Sequence, residues 1–257
     1  MTLTPTSPQP PTQPQTGTPL RIEPSPRWVR GYVDAQPIVD SKHVLVVYGV
    51  RRTPSYFFPR ADVRLDLLQP SQQADGKQFW SLQLGGRRVA DIAWSFLDTS
   101  ADRAQLADHL AFDWPKVEAW YEEDEEVFVH PRDPHHRVDI LDSSRHIKVV
   151  IDGETVAESH RPRLLFETGL VTRYYLPKMD VRMDLLEPTP TQTQCPYKGN
   201  ASYWSAKIGG AVHQDIVWSY PFPTPESAKI KNLLSFYNEK VDLYVDGELQ
   251  PKAPARH

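Results

Sequence analysis

The chain holds 257 residues, 39% hydrophobic and 11% aromatic, with 29 basic and 33 acidic side chains for a formal charge of −4. No run approaches the roughly 18 apolar residues of a membrane-spanning helix, residues 1–20 carry no Lys or Arg of the kind a secretory signal needs, and the acidic balance argues against a general nucleic-acid binder. One cysteine, Cys195, excludes an intramolecular disulfide and the multi-cysteine zinc motifs, so the composition predicts a cytoplasmic protein with no membrane or nucleic-acid partner.

Residues 1–26 hold eight prolines among Thr, Gln and Ser and predict a disordered tail, because such a segment buries too little apolar surface to offset its ordering entropy. The rest of the chain is one unit written twice. Tyr56–Pro70 and Tyr174–Pro188 agree at nine of fifteen positions with an offset of 118, whereas Asp91–Phe96 and Asp215–Tyr220 match at an offset of 124. The second copy therefore carries six extra residues, in the stretch that contains Cys195-Pro196-Tyr197-Lys198-Gly199-Asn200. The predicted organisation is a first repeat over 27–144 that includes a connector, a second repeat over 145–250, and a short tail over 251–257.

The first repeat predicts strands at Val44–Tyr48, Val63–Leu68, Phe79–Leu84 and Ile92–Phe96, with a hairpin turn at Gly85-Gly86. A short helix is expected around Ser100, Leu106, Leu110 and Phe112. The connector carries an acidic run, Glu122-Glu123-Asp124-Glu125-Glu126, which reads as a solvated face or a contact for a protein partner. After it, His130, His135 and His136 stand in a proline-bounded turn, read as solvated histidines rather than metal ligands.

The second repeat predicts the counterpart strands Leu164–Phe166, Val181–Leu186, Tyr203–Ile208 and Ile216–Tyr220, with a turn at Gly209-Gly210. Its helix is expected to start at Thr224 and Pro225 and to bury Ile230, Leu233, Leu234 and Tyr237 on one stripe. The predicted fold is thus mainly β, two tandem small domains with one short helix each.

Candidate chemistry concentrates in the second copy. Where it has Glu167-Thr168-Gly169-Leu170, the first has Gly49-Val50-Arg51-Arg52, so the copy without the CPYKGN stretch also lacks the carboxylate. That coincidence groups Glu167, Cys195 and Lys198 as one candidate site. Lys198 would lower the thiol pKa of Cys195 as nucleophile or redox group, and Glu167 would handle the proton or form a structural ion pair. Tyr174, Tyr175, Tyr197, Tyr203 and Tyr220 gather nearby and could line a small-molecule pocket. Asp180 and Asp184 resemble a magnesium pair, but Arg182 lies between them and the first copy keeps the pattern, so they read as structural. No metal site is assigned.

At CPYKGNASYW, LLFETGL, YYLPKMDV and DIVWSYPFP the chain closely resembles the domain-of-unknown-function family 427, which some classifications label nucleotidyltransferase-like. The resemblance spans both repeats. It implies a small β-rich domain of the bent two-sheet kind shared with Mss4-like, β-tent-like folds, whose relatives often hold cysteine-ligated zinc; a structural zinc is not expected from Cys195 alone, and the cofactor is left open. Carried over residue by residue, the motif marks Glu167, Gly169, Tyr175, Cys195, Tyr197, Lys198, Gly199, Tyr203, Trp204, Trp218 and Tyr220. Function is then open to three readings: a small-ligand pocket in the second repeat with a cysteine-dependent activity, nucleotidyl transfer as the label implies, or a non-catalytic protein-interaction module.

Overall fold

A computed structural model describes residues 20–98 and 100–252. Most of the proline-rich tail and residues 253–257 lie outside the described residues. The chain divides into two compact units, Met1–Asp133 and Pro134–His257.

The first unit contains β1 (Arg21–Pro24), β2 (Val29–Val33), β3 (Gln36–Ser41), β4 (Leu45–Tyr48), β5 (Ser55–Pro59), β6 (Leu68–Ala74), β7 (Lys77–Leu84), β8 (Arg87–Phe96), β9 (His109–Phe112), β10 (Ala119–Glu122) and β11 (Glu125–Glu126). They form a seven-stranded antiparallel sheet in the order β1-β4-β5-β9-β8-β7-β6 and a four-stranded sheet, β11-β10-β2-β3. The second unit repeats the plan with β12 (Val138–Asp142), β13 (Ile147–Ile151), β14 (Glu154–Ser159), β15 (Arg163–Glu167), β16 (Arg173–Leu176), β17 (Leu186–Cys195), β18 (Gly199–Ile208), β19 (Ala211–Pro223), β20 (Leu234–Phe236), β21 (Asp242–Val245) and β22 (Glu248–Leu249). Its sheets run β12-β15-β16-β20-β19-β18-β17 and β14-β13-β21-β22.

Alternation explains how each small sheet faces the large one. In β2 the buried residues are Val29, Gly31 and Val33; in β13 they are Ile147, Val149 and Ile151. These join inward residues of the large sheet in one core per unit. Gly31 leaves room for Trp120 directly opposite, since a Cβ there would lie 2.8 Å from its ring. The second unit solves the same contact with Val149 against Leu243. The glycine pairs Gly85-Gly86 and Gly209-Gly210 turn their hairpins with φ positive at both residues, as two-residue turns between twisted strands require.

The mainly β architecture agrees with the sequence reading, with three local departures. Val63–Leu68 and Val181–Leu186 are not strands. Each follows one three-residue 3-10 turn and contains a second before β6 or β17 begins at Leu68 or Leu186. Val63 and Val181 bridge to Val39 and Ala157 on the small sheets, so these turns cross from one sheet to the other at a corner that a straight strand could not make.

The helical stripe is the second departure. Pro225–Ile230 is a 3-10 helix, and Leu234 lies on strand β20; in the first unit Ala104–Leu106 is 3-10 and Leu110 lies on β9. Four apolar residues at helical spacing fit a turn followed by a short central strand buried on both faces, and sheet pairing decides between them.

The third departure concerns boundaries. Arg21–Pro24, expected within the tail, pairs with β4, and Val138–Asp142, expected within the connector, pairs with β15 as its counterpart. No helix among the described residues is long and apolar enough to cross a membrane.

Candidate functional site

The six extra residues of the second copy lengthen one hairpin. Relative to β6 and β7, strand β17 gains three residues, β18 gains two, and the connecting turn gains one. The turn Pro196-Tyr197-Lys198 is thereby carried toward the end of β15. Gly199 closes it with φ +97°, and a Cβ there would lie 2.7 Å from the carbonyl oxygen of Phe222. Thr224 and Ser227 donate their hydroxyls to the Tyr197 carbonyl at 2.7 and 3.0 Å, fixing the turn against the segment after β19. Thr224 thus serves the hairpin and makes no side-chain cap of its own.

So placed, the Lys198 ammonium bonds one oxygen of Glu167. The other oxygen meets His136 Nε2 at 2.9 Å, and the His136 ring stacks on Tyr197 with centroids 4.0 Å apart. Both members of the ion pair are buried. An unpaired carboxylate at this depth would be costly, so its two partners account for its presence.

The outward face of the second seven-stranded sheet lies beside this centre. Its cluster contains Leu165, Tyr175, Tyr203, Trp218 and Tyr220, where the matching cluster of the first unit has Val47, Phe57, Phe79, Trp94 and Phe96. Three phenylalanines have become tyrosines, while the tryptophan keeps its edge-on contact, to Phe57 in one unit and Tyr175 in the other. Trp218 Nε1 donates to the Tyr175 hydroxyl at 3.1 Å, and Thr193 and Tyr203 share a hydrogen bond of 2.8 Å. Ser235 stands in register with both Tyr175 and Trp218, and its hydroxyl is buried with no hydrogen-bond partner among the described residues. Its first-unit counterpart is Ala111, so this face differs from the first one consistently in polar atoms.

Burial pushes the Tyr175 and Tyr220 phenols far up, and both stand close enough to Glu167 and Cys195 for those groups to raise them further. Arg173, paired with Glu239 at 2.6 Å, lies over the Trp218 and Tyr237 rings at the other margin.

The sequence-derived residues are therefore brought together in part. Glu167, Lys198, Cys195, Tyr175, Tyr197, Tyr203, Trp218 and Tyr220 converge on one face or its rim. Gly199 and Gly169 shape the backbone, each with φ positive. Trp204 and Tyr174 do not join them: both pack on the inward core, because alternation along β18 and β16 turns them away from Tyr203 and Tyr175. The expected contact of Lys198 with the Cys195 thiol is also absent; the ammonium sits on Glu167, and the sulfur makes no hydrogen bond among the described residues.

Asp180 and Asp184 are engaged by Ser159 and Arg161, and by Arg182, respectively, as in the structural reading. In the acidic run Glu123, Asp124, Glu125 and Glu126 are exposed, but Glu122 is not. Its carboxylate is buried between the Tyr56 hydroxyl at 2.6 Å and Arg27 at 2.5 Å, which corrects its placement on a solvated face.

Ser235 is the member that sequence reasoning missed, and His136, read there as a solvated histidine, is instead largely buried against Glu167 and Tyr197, which corrects that reading. His136 stands in the connector, where copy-to-copy comparison has nothing to compare. Ser235 is within reach of that comparison, but the helical spacing of its apolar neighbours hides the strand that carries it.

Taken together, the fold and this face define a tandem two-sheet β protein in which one copy carries a polar, tyrosine-rich buried cluster beside a buried carboxylate. The chain belongs to the family described as Domain of unknown function (DUF427), which matches it twice, over residues 21–123 and 139–247. No curated protein matches the chain.

Proposed function

We propose that the second unit is a small-ligand site, built on the outward face of its seven-stranded sheet with Glu167, Lys198 and His136 as the polar centre. One comparison carries this reading. Two copies of one fold share the same face; one copy fills it with Phe57, Phe79 and Phe96, and the other sets Tyr175, Tyr203 and Tyr220 there beside a buried carboxylate. Burying hydroxyls and charges gives no stability over the phenylalanine version, which the first unit already achieves. Such groups are suited to orienting a polar ligand against an aromatic floor.

Glu167, held between a cation and an imidazole, supplies a carboxylate with a proton partner at His136. Cys195, at the end of β17, is the group through which this site would act covalently. Its thiol is also the single cysteine of the chain and hence a reporter. Alkylation of Cys195 by iodoacetamide, with and without a panel of small metabolites, reads occupancy. Compounds that slow labelling of the wild type but not of Glu167→Gln or Tyr220→Phe support the reading. Labelling that no compound alters, and that proceeds identically in both variants, refutes it.

A further inference from the structure

The first unit has diverged too, at a different place. A cavity of about 110 Å³ lies among Tyr56, Phe58, Trp114 and Trp120, with Arg51 and His130 also on its wall. Trp114 stacks on Trp120 at 4.5 Å, and Tyr56 leans on Trp114 at 6.2 Å. Behind the wall, the Tyr56 hydroxyl is held by the buried Glu122, whose charge Arg27 balances. The second unit keeps Tyr56 and Arg27 as Tyr174 and Arg145 but lacks the rest: strand register sets Leu243 where Trp120 stands and Val245 where Glu122 stands. Gly31, which admits the Trp120 ring, is likewise replaced there by Val149.

The shape and charge specify an occupant. The volume is of the order of the roughly 150 Å³ apolar cavity that accommodates benzene, and the walls are aromatic faces suited to a single flat ring. Inside, Glu122 and Arg27 cancel, and burial keeps the Tyr56 phenol protonated. At the exposed side, Arg51 and Lys116 share the one carboxylate of Asp113, at 3.2 and 3.4 Å on separate oxygens, which leaves a net positive charge. We propose that the first unit binds a small aromatic carboxylate, its ring in the cavity beside Trp114 and its carboxylate on Arg51. The exposed Arg51–Asp113 pair contributes little to stability and can exchange partners at low cost.

Benzoate is the probe, titrated into the full chain and followed by the indole NMR signals of Trp114 and Trp120. Saturable shifts at these two signals are expected. Arg51→Gln should weaken binding about ten- to hundredfold, as loss of a charged hydrogen bond does. Glu167→Gln, in the other unit, should bind benzoate as the wild type does, which separates this site from the second-unit one. Benzylamine, with the same ring and opposite charge, should bind far more weakly. Absence of saturation at millimolar benzoate, unchanged affinity in Arg51→Gln, or equal affinity for benzylamine would each overturn the proposal; Arg51 is exposed, so its replacement leaves the fold intact.

Discussion

Gly199→Ala tests whether the long hairpin is held as described. At φ +97° an L-residue is disfavoured by about 1–2 kcal/mol. The new methyl would also lie 2.7 Å from the Phe222 carbonyl oxygen and 3.2 Å from the Pro223 Cα. Neither can rotate aside, because both are backbone atoms of β19 paired with this hairpin. Forcing them apart adds about 1–3 kcal/mol, the usual range for overpacking, for a total of about 2–5 kcal/mol. Gly209→Ala is the control: its φ is +56°, nothing lies within 4 Å, and the cost should stay near 1 kcal/mol. Urea denaturation of the full chain, with the second-unit transition resolved, measures both. Equal costs for the two variants would refute the close approach and with it the account of how Lys198 reaches Glu167.

Lys198→Ala should destabilise the second unit by about 3 kcal/mol, because it strands the buried Glu167 with one partner. The double variant Glu167→Gln with Lys198→Met should recover most of that in the same denaturation assay. Glu122→Ala should cost the first unit about 2–3 kcal/mol by orphaning the Tyr56 hydroxyl and Arg27, whereas Glu123→Ala, on the exposed side, should stay within about 0.5 kcal/mol. The raised phenols of Tyr56, Tyr175 and Tyr220 favour the folded state fully below the unfolded tyrosine value of about 10, and that contribution is lost as pH rises above it. Spectrophotometric titration should show these three ionising only with unfolding; free ionisation in the folded protein would contradict their burial. The Arg161 guanidinium and Ser159 hydroxyl hold the Asp180 carboxyl low, so its contribution is present above the usual carboxylate range and fades as pH falls. Asp180→Asn should flatten the acid limb of the stability curve.

The repeat, the β-rich class, the glycine hairpins and the grouping of Glu167 with Lys198 were all written in the sequence. Each rests on local rules or on comparing one copy with the other: β-branched and aromatic runs mark strands at Phe79–Leu84 and Ile92–Phe96, paired glycines turn hairpins, and a carboxylate and lysine absent together from one copy belong together. The exchange of Phe57, Phe79 and Phe96 for Tyr175, Tyr203 and Tyr220 could be read the same way. The tertiary structure decided what depends on contacts between segments with no common register in sequence. His136 reaches Glu167 from the connector, Lys198 bonds the carboxylate rather than the neighbouring thiol, and Glu122 leaves its acidic run to bury itself against Tyr56. The residues from Leu234 to Phe236 become a strand for the same reason. Apolar spacing alone suits a helix or a buried strand, and only the neighbouring strands β16 and β19, by offering hydrogen bonds on both sides, select between them.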